Sequence, residues 1–331
     1  MSGIFLSITI PSYNRHDQLC ARIAELIPQL EAGVEVWVLD NASTPDLEAY
    51  VCDRVEGARS AIRFVRNPSN IGASANVCRC FEVARGDWVW LLGDDDSIIP
   101  GALQSILEVS AGASLSEVLL KFNSTNGGQV DHEEILDGVP AMSTRCRNPL
   151  FYSNLLFISS SVYRRQTMVS RLAIGYHWCF SSAPHIAMLL DAISAGGTVR
   201  LLPRELVRHG QAGAADNWNV TRVSAGFISL GDMESGGDFP ATAMPAIALH
   251  YLGGRRWWRQ LVKGFLSDTG RSPAYWCGYF VRFGSTIGGP RGLLITLLAW
   301  GMRLLVKIPG VRTLGRSLLQ PSDTVGNLDR S

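Results

Sequence analysis

Trp88-Val89-Trp90-Leu91-Leu92-Gly93-Asp94-Asp95-Asp96 is the stretch that decides how this chain folds. An apolar run passes directly into three adjacent carboxylates, which reads as a buried strand opening into a polar crevice. Adjacent carboxylates repel one another, and a cation makes such a cluster tolerable. Hard divalent ions such as Mg²⁺ take one or two carboxylates together with substrate phosphates and retained water. Taken alone, the triplet reads equally well as a solvated acidic turn.

Upstream of it, strand and helix signals alternate. Ser7-Ile8-Thr9-Ile10 reads as a strand ended by Pro11. Leu19, Ile23, Leu26 and Leu30 recur at helical spacing, with Gly33 placed to end the helix and Pro28 to kink or shorten it. Val34 to Leu39 reads as a second strand ending at Asp40, and Thr44-Pro45 as an N-cap with Pro at the first helical position. Ala61 to Val65 is a third strand, Ala73 to Ala84 a helix, and Asp87 to Leu92 the fourth strand. The alternation predicts an α/β chain with a doubly wound, mostly parallel sheet. Ligands of such sheets bind outside the carboxyl ends of the strands. Three polar clusters fall there: Pro11-Ser12-Tyr13-Asn14-Arg15, Asp40-Asn41 and Asp94-Asp95-Asp96.

Downstream, Pro100 to Val109 reads as a helix, Val118 to Phe122 as a strand, and residues 123–149 as a polar, Gly-rich loop. Leu155 to Tyr163 reads as a strand, Ile186 to Ile193 as a helix, and Thr198 to Val207 as a return to the sheet. Residues 212–240 have the composition of a linker, and residues 320–331 that of a mobile tail.

The composition, 47% hydrophobic and 18% charged over 331 residues, is that of a folded globular chain and excludes a disordered one. A formal net charge of +1 conceals an asymmetry: from Phe239 to Ser322 the only acidic residue is Asp268. Seven cysteines without a C-x-x-C pair indicate neither a disulfide framework nor a zinc site, and predict a reducing compartment. The N-terminus lacks a positive region and a small-residue cleavage site, so its apolar stretch reads as a first strand.

The C-terminal region, residues 241–319, is basic and aromatic. It opens with Arg255-Arg256-Trp257-Trp258-Arg259 and includes an apolar run, Gly292 to Met302, interrupted by Arg303 and Lys307. That run falls short of the roughly 20 apolar residues a spanning helix needs. Basic amphipathic segments with Trp suit the plane of an anionic membrane surface. The other reading is a helical domain whose apolar faces pack on each other or on a second copy in a homo-oligomer. Nucleic acid is not indicated, since no recognised binding motif accompanies the aromatics.

Five segments together resemble the family 2 glycosyltransferases. They are Ile10-Pro11-Ser12-Tyr13-Asn14-Arg15, Val38-Leu39-Asp40-Asn41-Ala42-Ser43, Asn70-Ile71-Gly72 with Asn76, Ala84-Arg85-Gly86-Asp87, and the triple Asp. The resemblance covers about the first hundred residues and thins after residue 110. It implies a GT-A fold, a nucleotide-sugar donor and inversion at the anomeric carbon. It makes residues 1–110 the nucleotide-sugar-binding part and 111–211 the acceptor-binding part of one domain. Asp40 is then placed at the nucleobase, where a carboxylate accepts from uracil N3–H or the cytosine amino group alike. Its other reading is an Asp capping the next turn. Pro11, Tyr13 and Arg15 would line the same pocket, with Asn70, Gly72 and Asn76 beside them. The family's acidic motif often begins one residue earlier, with Asp where this chain has Gly93. Asp96 is accordingly assigned as the main ligand of Mg²⁺ or Mn²⁺, Asp94 to ribose or metal, and Asp95 to the nucleotide sugar.

The reaction also requires a base for the acceptor hydroxyl. By analogy with relatives, counting back from Gly196 along Pro184 to Ala195 places His185 where their catalytic Asp lies. His185 reads either as that base or as a helix-start histidine with a structural hydrogen bond. His209 resembles a late histidine that some GT-A enzymes direct at the metal; its other reading is an edge-of-strand surface residue. The whole predicts a metal-dependent transferase, peripheral on the cytoplasmic face of a bacterial inner membrane. Its acceptor would be a lipid-linked saccharide of surface-polysaccharide assembly, and the Gly93-Asp94-Asp95-Asp96 variant resembles transferases of deoxyhexoses in O-antigen units. The rival readings are a nucleotidyltransferase and a non-catalytic membrane scaffold with a decayed site. The first lacks its Gly-rich phosphate loop after the first strand, and the intact carboxylates argue against the second.

Overall fold

The computed structural model of the chain describes residues 5–125, 127–210, 220–234, 237–266, 271–308 and 310–311. Ten strands are present among them: β1 Leu6–Ser12, β2 Val34–Asp40, β3 Ile62–Arg66, β4 Trp88–Leu91, β5 Ser97–Ile98, β6 Glu117–Asn123, β7 Glu134–Asp137, β8 Ser161–Arg164, β9 Thr198–Glu205 and β10 Val207–Arg208. Eight form one sheet in the order β3-β2-β1-β4-β8-β6-β9-β7, and β10 pairs with β5. The pairings β1–β2, β2–β3, β1–β4 and β6–β9 are parallel. Those of β8 with β4 and β6, and of β7 with β9, are antiparallel. The mostly parallel, doubly wound sheet expected from the sequence is present.

Parallel strands covered on both faces carry continuous apolar runs. Accordingly all four residues of β4 are buried, and Ile8, Ile10, Val36, Val38, Trp88 and Trp90 meet in one core. Trp90 is buried without an orphan donor because its Nε1–H donates to the Ser159 carbonyl at 2.8 Å. Register places Ser12 beside Asp40 and Asp40 beside Arg66, so the ends of β1, β2 and β3 are level.

Several local expectations are corrected. Thr44 is not the N-cap of the following helix; Asp46 is, its side chain accepting from the Ala49 N–H at 3.0 Å. Residues 155–163 are not one strand. Asn148 and Pro149 start a helix, Pro149–Leu156, which buries Phe151, Tyr152 and Leu155, and only β8 is extended. The supposed loop 123–149 contains β7 and a helix, Gly138–Cys146. β7 is an edge strand with Ile135 outward and Leu136 inward, too short to show its period in the sequence. The supposed linker is helical at Val220–Ser229 and Phe239–Thr242, with Phe227, Ile228, Leu230 and Phe239 buried. Residues 211–219 and 235–236, and the expected tail 320–331, lie outside the described residues. Pro28 does what its chemistry requires: the first helix stops at Leu26 and continues as a 3₁₀ turn, Ile27–Gln29.

The chain divides into two compact units, Met1–Ala243 and Met244–Ser331. The second consists, among the described residues, of helices at Met244–Tyr251, Trp257–Leu266, Pro273–Ile287 and Gly289–Leu305. The last two form a close hairpin: a Cβ on Gly292 would stand 2.2 Å from the Gly284 carbonyl oxygen. No described helix is long and apolar enough to cross a membrane.

Candidate active site

All three polar clusters reach the carboxyl edge of the sheet, because β1, β2 and β4 run parallel. After β1, Ser12 Oγ donates to Asp94 Oδ2 at 2.7 Å. Arg15 Nη1 donates to Asp94 Oδ1 at 3.0 Å and to Asp95 Oδ2 at 2.5 Å. One guanidinium thus draws two of the three carboxylates together. Asp94 is nonetheless buried, and desolvation pushes its carboxyl up to about 6, against the opposing pull of Ser12 and Arg15.

Asp96 faces elsewhere. Its Oδ2 accepts from Ser159 Oγ at 2.5 Å, and its Oδ1 from the Gly210 N–H at 3.0 Å. His209 Nδ1 stands 3.2 Å from the same Oδ1. The β5–β10 pairing aligns Ser97 with Arg208 and so carries His209 and Gly210 over the acidic turn. Gly210 is required there, since a Cβ would lie 2.0 Å from the Asp95 carbonyl oxygen. Burial raises the Asp96 carboxyl above its ordinary range, opposed by the hydrogen bonds from Ser159 and Gly210. The Gly93 departure has a steric cause. A Cβ at 93 would stand 2.6 Å from Asp96 Oδ2 and 3.1 Å from Ser159 Oγ. Ser159, in turn anchored by the Gly93 N–H at 2.8 Å, occupies the space that a side chain there would need.

Among the described residues no cluster of three or more metal-ligating side chains is assembled. Asp96 and His209 supply one carboxylate and one imidazole. That donor set fits Mg²⁺ or Mn²⁺ only if substrate oxygens and water complete the shell, which is the usual way such ions are held at phosphate sites. Both oxygens of Asp94 are engaged, by Ser12 and Arg15, as both of Asp96 are by Ser159 and Gly210, and each keeps a second lone pair.

Asp40 is buried at the end of β2. Its Oδ1 accepts from the Ser43 N–H at 2.8 Å, and its Oδ2 is paired with Arg66. The turn-capping reading is thus realised, and Arg66 is an addition the sequence did not suggest. Arg66 also donates to the Ser43 carbonyl at 2.8 Å. Tyr13 is 45% exposed and Pro11 half-buried at the same edge, while Asn14 ties the first loop to the second through Ser43 and Thr44.

Asn76 is corrected from a ligand-binding to a loop-building residue, and the Asn70 oxygen builds the same loop. Asn70 Oδ1 accepts from Asn41 Nδ2 and the Gly72 N–H. Asn76 Oδ1 accepts from Asn67 Nδ2, and its own Nδ2 donates to the Leu39 carbonyl. The Asn76 amide and the Asn70 oxygen hold residues 67–72 against β2, and Gly72 supplies the positive φ of 86° that starts the next helix.

His185 is also corrected. It does start the helix Pro184–Ser194, but it is 4% exposed and packs edge-on against Tyr163, with ring centroids 6.4 Å apart. Neither ring nitrogen has a hydrogen-bond partner of good geometry. Burial, followed by the nearby Lys121 ammonium, lowers its pKa to about 3. A base that weak and that enclosed does not suit removal of a proton from an acceptor hydroxyl. Lys121 itself is fully buried and donates to the Phe157 carbonyl, Ser160 Oγ and Ser161 Oγ at 2.9, 2.5 and 2.9 Å. It thereby fixes the turn that presents Ser159 to Asp96.

Residues 7–129 match the model of glycosyl transferase family 2. An uncharacterized glycosyltransferase of Haemophilus influenzae is 31% identical over 104 residues, 31% of this chain and 34% of that protein. Abequosyltransferase RfbV of Salmonella typhimurium is 28% identical over 102 residues, 30% of this chain and 31% of that one. The chain spans about a third of the length of the curated relatives it matches. Among solved structures, residues 1–349 of S. aureus TarS in complex with UDP-GlcNAc align with a TM-score of 0.60 at 13% identity, covering 95% of this chain and 91% of that one. Mannosyltransferase PcManGT from Pyrobaculum calidifontis, in complex with GDP-Man and Mn²⁺, aligns with a TM-score of 0.52 at 12% identity, covering 88% and 86%. At such identities the likeness is one of fold, and the fold is GT-A. Residues 7–129 of this chain are thus similar to a family 2 glycosyltransferase domain.

Proposed function

We propose that the protein transfers a sugar, with inversion, from a nucleotide-sugar donor to a saccharide acceptor that is lipid-linked, in bacterial surface-polysaccharide assembly. The observation that carries this reading is the convergence of Asp40, Arg15, Asp94, Asp95, Asp96 and His209 on one edge of the sheet. Asp40 and Arg66 offer a paired acceptor and donor for a nucleobase, and Tyr13 an exposed ring for stacking. Asp96 and His209 would hold Mg²⁺ or Mn²⁺, which when bound neutralises charge on the departing diphosphate. Arg15, at the end of the first loop, binds and orients the anionic donor while it restrains Asp94 and Asp95.

The similarity to an abequosyltransferase, and to structures holding UDP-GlcNAc or GDP-Man with Mn²⁺, supports the donor class and the metal. The basic, aromatic second unit supports an acceptor presented at the cytoplasmic face of the inner membrane. The test is release of nucleoside diphosphate from a panel of UDP-, GDP-, CDP- and dTDP-sugars, with Mn²⁺ and with chelator. One donor should be turned over with Mn²⁺ and spared with chelator. Pyrophosphate release would favour a nucleotidyltransferase, and absence of binding across the panel would favour a decayed site.

A further inference from the structure

The helix Gly289–Leu305 has two unlike faces. Gly292, Ile295, Ala299 and the following Val306 are buried within the second unit. With 3.6 residues per turn these four share one side. On the opposite side Leu293, Leu297 and Leu304 are 60%, 59% and 63% exposed, and Leu294, Leu298 and Trp300 between 43% and 49%. So many large apolar side chains in one exposed stripe mark an interaction surface.

The charges identify the occupant. By the same helical count, Arg303 and Lys307 fall along one margin of the stripe and Arg291 along the other. No Asp or Glu occurs between Asp268 and Asp323. The Arg303 guanidinium stands over the Trp300 ring, 5.2 Å from its centroid, a pairing of ring and cation suited to the headgroup level of a bilayer. A second copy of the same face would set like charges against like, with no carboxylate to offset them. A 17-residue helix is about 25 Å long at 1.5 Å per residue and does not reach across a bilayer.

We propose that Gly289–Leu305 lies in the plane of an anionic lipid surface. Leu293, Leu297 and Leu304 enter the acyl boundary, and Arg291, Arg303 and Lys307 meet lipid phosphates. The proposal deepens the lipid-linked acceptor reading by naming the surface, but its geometry belongs to the second unit and does not depend on the transfer chemistry.

Flotation of the full chain with phosphatidylcholine vesicles, with and without phosphatidylglycerol, tests it. The wild type should float with the anionic vesicles. The double variant Leu297→Glu/Leu304→Glu should not, and both sites are exposed enough for the fold to persist, which a thermal melt verifies. Each cation near an anionic surface strengthens binding by about fivefold, so Arg291→Gln/Arg303→Gln/Lys307→Gln should weaken it by about a hundredfold at low salt. Flotation of the Leu variant like wild type, or a wild type unbound at low salt, overturns the proposal. So does a wild type that is dimeric without lipid while the Leu variant is monomeric and neither floats. Donor turnover measured without vesicles should be the same in all variants, so failure of docking and failure of the transferase reading are separately visible.

Discussion

His209 Nδ1 lies 3.2 Å from Asp96 Oδ1, and the neighbouring Gly210 N–H donates to that same oxygen. The two residues come from the ends of different strands and are brought together by the short β5–β10 pairing. Their exposures differ: the His209 side chain is 48% exposed and that of Asp96 only 4%. The carboxylate is fixed from the protein side, and the imidazole opens toward solvent. Such a pair would suit an ion that fills the rest of its shell with substrate oxygens and water.

Asp96→Asn should keep the turn, because an amide retains the shape and can still accept from Gly210. It removes the negative charge, which for metal-assisted departure of a diphosphate is worth several kcal/mol. Turnover of the donor should fall roughly a thousandfold. His209→Ala should leave the fold intact and raise the Mn²⁺ concentration for half-maximal turnover by roughly ten- to a hundredfold, in line with removal of a metal-site group. Near-normal Mn²⁺ dependence in both variants would remove the metal from this pair.

Gly93→Asp restores the acidic motif in its commoner family register, yet here it should impair the site. The new Cβ would meet Asp96 Oδ2 at 2.6 Å and Ser159 Oγ at 3.1 Å, so the carboxylate must shift. Overpacking of this kind costs about 1–3 kcal/mol. A lowered melting temperature together with weaker Mn²⁺ dependence is expected. Ser159→Ala combined with Gly93→Asp should recover part of the stability, because it removes one of the three obstructing atoms, Asp95 Oδ1 at 3.2 Å being the third.

How far the sequence carries differs between the halves of the site. The first four strands and the three clusters at their ends are legible because long apolar runs, Pro11, Gly33 and Gly86 punctuate a regular alternation. Arg66 was missed by one residue: the third strand extends past Val65, and only the register with Asp40 reveals the pair. Ser159 and Lys121 were illegible because their roles depend on contacts between segments remote in sequence. The amides of Asn70 and Asn76 carry the family signature, but nothing in a sequence separates an amide that binds ligand from one that holds a loop. His185 was misplaced for a related reason. Position at a helix start says nothing of depth, and this helix is buried over nine of its eleven residues.

Arg66→Ala should separate structure from recognition at the nucleobase end. The Arg66 side chain is 42% exposed and Asp40's 3% exposed, so truncation leaves a buried carboxylate with only the Ser43 N–H. An orphaned buried acceptor costs about 1–3 kcal/mol, and solvent reaching the vacated side moderates it toward the lower figure. Chemical denaturation should show that loss. Asp40→Asn in the same background should recover part of it, while nucleotide affinity falls in both. Unchanged affinity for every nucleoside diphosphate would place the base elsewhere.

His185 makes the fold sensitive to acid. In the folded chain its pKa is lowered to about 3, from an ordinary value of 6.5, first by burial and then by Lys121. Between those values the unfolded chain holds a proton that the folded chain does not. Stability therefore rises with pH across this window, and is lost as pH falls below about 6.5, by up to about 1.4 kcal/mol per pH unit from this group. His185→Phe cannot take up that proton and keeps an aromatic ring against Tyr163. Its stability should decline less steeply than wild type between pH 6.5 and the carboxylate range, whatever its offset at neutral pH. Donor turnover at neutral pH should stay within a few-fold of wild type, because the ring is enclosed and makes no bond to the acidic turn. Loss of turnover by the hundred- to ten-thousand-fold typical of a missing general base, with unchanged acid sensitivity, would return His185 to the reaction.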